Sequence, residues 1–220
     1  MIKQWIEVFS VFEFISIGML LTIIAMTSLK RVETCLRAYT INSWLLGALM
    51  ALSAFYMNVA HLYIAALVTL VSKGIVIPHY LRKYIKAVKV THDVEPYISA
   101  PFSLVISSVL VVIVNSSLSA GIALEGVTEN TLKISISIIL ISLFIMMTRR
   151  KAITQVMGLL FMENGLFLAG FSLTYGMPTI IELGVLFDVL MGVMILGVFL
   201  VQIKKAFVSV DLDKLTSLKG

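Results

Sequence analysis

Apolar residues along this chain fall in long unbroken runs rather than in alternation. Seven runs can be marked, at 5–29, 35–57, 58–81, 98–124, 132–148, 152–175 and 178–203. Each is close to or above the ~20 residues that a helix rising ~1.5 Å per residue needs to cross ~30 Å of hydrocarbon. A backbone in lipid must satisfy its own hydrogen bonds, which leaves helices and closed barrels. Continuous runs lack the alternation of a barrel strand, so the pattern predicts an all-α membrane protein, a bundle of seven transmembrane helices. The first run is too long for a signal peptide, has no strongly basic start, and is followed by six more, so it is expected to remain a span. Between the runs lie short connections, one basic loop at 82–96 and a tail after Lys204, with no room for a soluble domain.

Polar positions orient the bundle. Lys30, Arg31 and Arg37 follow the first run; Arg82, Lys83, Lys86 and Lys89 follow the third. Arg149, Arg150 and Lys151 follow the fifth, and Lys204, Lys205, Lys214 and Lys219 lie in the tail. Seven spans put all four groups on one side, leaving Lys3 and Lys133 opposite, and the positive-inside rule makes that side cytoplasmic. The N-terminus is then expected outside and the C-terminus in the cytoplasm, and the expected location is the cell inner (cytoplasmic) membrane. Helices one to three and five to seven run in matching directions. Their middle members share a basic start and a later Asn, LKRVETCLRAYTIN and TRRKAITQVMGLLFMEN, a pattern that an internal duplication would leave.

Composition adds exclusions. Hydrophobic residues make up 60% of the chain and charged ones 13%, so the net charge of +5 reflects topology and not a nucleic-acid footprint. The lone Cys35 rules out an intrachain disulfide and a cysteine-ligated cluster. His61, His79 and His92 are spaced so that no pair can face across two helices as haem ligands, and neither HExxH nor a Gly-rich phosphate loop occurs. No cofactor, metal or catalysis is expected of this chain alone.

The chemistry lies in five ionisable residues inside the runs: Glu13, Lys73, Glu163, Glu182 and Asp188. A charge at mid-bilayer costs at least ~2.5 to 3.5 kcal/mol on insertion scales, so each needs a reason. Glu163 stands half way along the sixth run beside Asn164 and among Gly158, Gly165 and Gly170. It reads either as a protonated group gluing helices together or as a site that gains and loses a proton. Asp188 has Gly184 four residues before it and Gly192 four after, so one helical face carries an acid between two points of close backbone approach. Glu182 reads as an interfacial charge at a helix N-terminus or as an outer proton step. Lys73, ahead of Gly74 and Pro78, either snorkels to the inner surface or sits buried as a counter-charge to a nearby acid. Glu13 reads as a partner for another polar group or as a relay residue. In the tail, Leu212, Leu215 and Leu218 recur every three residues, which suggests a segment docked on a partner.

The stretches VSKGIVIP, GLLFMENGLFLAG, PTIIELGVLFDVLMG and VDLDKLTSLKG together resemble component E of hydrogenase-4 or second formate hydrogenlyase type complexes. The three-helix segment 125–203 resembles, more distantly, the K-type subunit of respiratory complex I and the small subunit of multisubunit cation/proton antiporters. Residues 1–124 then form a four-helix N-terminal unit and 204–220 a cytoplasmic tail. In the K-type pattern a basic helix start leads to Gly-Leu and then an acid; Arg149, Arg150, Gly158 and Leu159 match, Leu160 stands at the acid's place, and Glu163 follows three residues later. Asp188 with Gly192 matches the second acid. The resemblance implies a noncatalytic subunit of a membrane arm, with antiporter-like subunits and a hydrogenase or other electron-transfer module as partners. Glu163 and Asp188 would be proton sites, Lys73 a modulator, and Glu182 and Glu13 further candidates. A purely structural subunit and a stand-alone small transporter remain the other two readings.

Overall fold

The computed structural model describes residues 2–57, 60–87, 97–119, 127–173, 184 and 192. Among them the chain is all helical in architecture: α1 (Ile2–Ser28), α2 (Val32–Met57), α3 (Ala60–Val71), a π-helical turn (Ser72–Val76), α4 (Ile77–Ala87), α5 (Ala100–Ser119), α6 (Val127–Thr148) and α7 (Ala152–Leu173). The segment α3, π-turn and α4 forms one span, so six helices are long and apolar enough to cross a membrane. They match the first six runs of the sequence. The seventh run, with Glu182 and Asp188, and the tail lie outside the described residues, apart from the helical Gly184 and Gly192.

Two hairpins form the centre. A turn at 29–31 reverses α1 into α2, and one at 149–151 reverses α6 into α7, and the hairpins pack side by side, α1 against α6 and α2 against α7. Three contacts share one offset: Thr27 meets Arg149, the ring of Tyr39 meets that of Phe161 edge to face, and Asn42 meets Asn164, each pair 122 residues apart in sequence. Corresponding helices therefore run parallel, as the paired sequence pattern predicts. The α3–α4 span packs on α2, and α5 covers α1 and α6.

Packing in lipid gains little from burying hydrocarbon and depends on close contact, which small residues permit. The α6–α7 seam shows this: a Cβ at Gly158 would lie 2.8 Å from Met146 Cγ, and one at Gly165 would lie 2.9 Å from Ile138 Cγ2. Outward faces stay apolar, with Phe14 and Leu21 on α1 and Val105, Val109 and Val112 on α5 at least half exposed. Such a surface suits hydrocarbon.

The hairpin end carries the positive charge. Arg31, Arg150 and Lys30 are exposed there, and α4 extends to Ala87, so Arg82, Lys83 and Lys86 lie on the last turns of a helix and not in a loop. Arg149 differs, being buried: its Nη2 donates to the carbonyls of Thr27 at 2.6 Å and Met26 at 3.3 Å. These carbonyls end α1 and have no partner within it, and a cation suits the negative end of the helix dipole. Burial lowers the Arg149 pKa from its ordinary guanidinium value.

Candidate functional site

Lys73 is the centre of the polar interior. Pro78, five residues on, has no N–H to give and its ring crowds the carbonyl four residues back. The chain accommodates this in a wider turn, in which the Ile77 N–H donates to the Ser72 carbonyl five residues earlier. Isolated π-turns of this kind concentrate at functional sites. Lys73 does not snorkel, since its side chain is 0% exposed. Gly74 follows it and lets the Trp44 indole of α2 close over the turn, within 3.1 Å of where a Cβ would stand.

The Lys73 Nζ lies 3.4 Å from Glu163 Oε2 of α7, which is 4% exposed, and donates to Asn164 Oδ1 at 2.9 Å. Two residues 90 positions apart thus form a buried ion pair, and the counter-charge expected of Lys73 is Glu163. From Asn164 a hydrogen-bond chain continues. Its Nδ2 donates to Asn42 Oδ1 at 2.8 Å and to Ser43 Oγ at 3.4 Å on α2. Asn42 Nδ2 donates in turn to Thr22 Oγ1 at 2.7 Å and to the Met19 carbonyl at 3.0 Å on α1.

The direction of this chain follows from one atom. A backbone carbonyl only accepts, so the Asn42 group facing Met19 is its NH2. Asn42 Oδ1 then faces Asn164, which must answer with its own NH2. What remains for Lys73 is Asn164 Oδ1, an acceptor. Two acceptors, one of them a carboxylate, thus converge on the lysine. Carboxamides do not titrate in the physiological range, so the amide chain serves to hold Lys73 in place.

Glu13 stands apart from this network. Its Oε1 accepts from Asn130 Nδ2 of α6 at 2.8 Å, beside an ion pair between Lys133 and Glu129. These groups edge a cleft of about 320 Å³ between α1, α5 and α6. Glu13 is therefore a partner of another polar group, and no described contact joins it to Lys73. Asp188 and Glu182 lie outside the described residues, but the glycines flanking Asp188 do not. A Cβ at Gly184 would stand 2.4 Å from Phe167 Cε2, and one at Gly192 would stand 3.8 Å from Ile77 Cδ1. Phe167 is one turn past Glu163, and Ile77 one turn past Lys73.

Sequence reasoning passed over Asn42, Ser43 and Thr22 as site residues. The recurrence of Asn in both middle helices was the available signal, and the structure turns it into a contact. No group of three or more His, Cys, Asp or Glu side chains among the described residues could hold a metal ion.

Six membrane-length apolar helices around a buried ion pair define a helical membrane protein. The chain is 32% identical over 176 residues to the uncharacterized protein Rv0085 of Mycobacterium tuberculosis, an alignment that takes in 79% of this chain and 80% of that protein. It belongs to the same family. No protein-family model and no solved structure matches it.

Proposed function

We propose that this chain is a noncatalytic subunit in the membrane arm of a hydrogenase-4-like energy-converting complex, in which it takes part in moving protons. The observation that carries this reading is the Lys73–Glu163 pair: a base and an acid 3.4 Å apart, both buried, on a π-turn and a glycine-rich helix. A proton relay needs groups of this kind at mid-membrane. Asp188 is the second acid of the relay, a role supported by its flanking glycines packing one turn beyond Glu163 and Lys73. Glu182 is its outer step. The run 178–203 supplies a seventh span, which puts the basic hairpin end in the cytoplasm, the N-terminus outside, and the chain in the inner membrane. Antiporter-like subunits and an electron-transfer module are its partners, as the resemblance of its C-terminal half implies.

A second reading, that the polar interior only holds helices together, draws support from the amide chain linking α7, α2 and α1. Proton movement per turnover in sealed vesicles, at matched amounts of assembled complex, separates the two. Glu163→Gln and Asp188→Asn keep size and hydrogen bonding but cannot titrate. The relay reading expects assembly with a severe loss of translocation. Wild-type ratios in both variants would leave the chain a structural subunit. Failure to co-purify with antiporter-like or hydrogenase subunits would remove the complex itself.

A further inference from the structure

The cleft beside Glu13 opens at the start of α6, about three turns into α1, and runs on between these helices and the end of α5. Its mouth is polar, with Glu13, Asn115, Asn130 and Lys133; its walls deeper in are Leu20, Val111, Val112 and Ile134. Glu13 accepts from Asn130, and the lining extends to Leu20 and Ser137, each seven residues further along its helix, so the groove follows two parallel helices for about two turns. At about 320 Å³ it is large enough to take a ligand.

Lys133 pairs with Glu129, while the Glu13 carboxylate accepts from the neutral amide of Asn130. Glu13 therefore offers an anionic acceptor that suits a cation able to donate hydrogen bonds. The flanks say where that cation comes from. Val112 is 63% exposed in the cleft wall, and Val109 and Ile113 of α5 and Ile17 and Leu21 of α1 are exposed alongside. The cleft thus opens sideways onto a hydrocarbon-facing surface, which a soluble amine has no reason to visit.

We propose that the cleft binds a phospholipid whose headgroup carries a primary ammonium, with the ammonium on Glu13 beside Asn130 and an acyl chain along Leu20, Val111, Val112 and Ile134. This site is independent of the Lys73–Glu163 pair. It also gives Glu13 a role other than proton transfer.

The test is lipid retention by the full-length protein, read by native mass spectrometry after release from bilayers of equal phosphatidylethanolamine and phosphatidylcholine. Choline has no N–H, and a hydrogen bond to a charged group is worth ~1.5 to 3 kcal/mol, so retention should favour the ethanolamine lipid by about tenfold or more. Glu13→Gln, which keeps an acceptor for Asn130, should abolish the preference. Val112→Trp should fill the cleft and lower retention of both lipids. Equal retention of the two lipids by the wild type, or an unchanged preference in Glu13→Gln, would overturn the proposal. Displacement by free ethanolamine at millimolar concentration would also overturn it, since the acyl chain would then contribute nothing.

Discussion

The Lys73–Glu163 site and the Glu13 cleft are both acids held by the hairpin pair, yet they solve opposite problems. Glu163 is buried and meets its charge partner within the protein, on the π-turn that precedes Pro78. Glu13 is half-buried and meets a neutral amide, at a mouth where solvent and lipid headgroups can supply what the protein does not. The difference teaches that an acid inside an apolar run is not a relay residue by position alone. Its neighbours decide, and they come from distant parts of the chain.

The comparison breaks most visibly at Lys73. Lys73→Met removes the partner of a buried carboxylate, a change that typically costs ~3 to 5 kcal/mol, so unfolding in detergent should show a large loss of stability. Adding Glu163→Gln should recover much of it. A double variant no better than Lys73→Met would show that the two charges do not interact. Asn42→Leu tests the amide chain two hydrogen bonds away from Lys73. Interhelical hydrogen bonds in membranes average ~0.6 kcal/mol and reach ~1.7, so a loss of about 1 to 2 kcal/mol is expected in the same assay. No loss would leave the pair to stand without its positioning chain. Glu13→Gln should have the smallest effect, within about 0.5 kcal/mol, because the Asn130 bond survives and the site is open to solvent. An effect as large as that of Lys73→Met would erase the distinction between the two sites.

Six helices were legible within a few residues, because length and hydropathy suffice to mark a span and no competing structure satisfies a lipid-embedded backbone. The seventh, with its two acids, lies outside the described residues. Lys73 was harder to read. Snorkelling and burial look the same in sequence, since the choice depends on whether an acid on another helix comes within reach. The π-turn was signalled only by Pro78, and a kink would have served the proline equally well. Glu163 was legible as unusual but not as paired with Lys73, because nothing local connects positions 90 apart. Asn42 and Asn164 could be matched by pattern, but only packing α2 against α7 makes them touch. For Glu13 the residues mark an acid in the outer half of the first helix, and its amide partner belongs to α6.

The position of Arg149 has a consequence for the order of synthesis. The carbonyls that it caps belong to α1, completed 122 residues earlier, and Asn42 Oδ1 waits over the same interval for Asn164. At translation rates of ~5 to 20 residues per second, that is a delay of roughly 6 to 24 s. During it the first hairpin sits in the membrane with its cap missing, and Lys73 arrives before the acid it needs. A chain cut short before the second hairpin would therefore keep an uncompensated lysine and an uncapped end of α1.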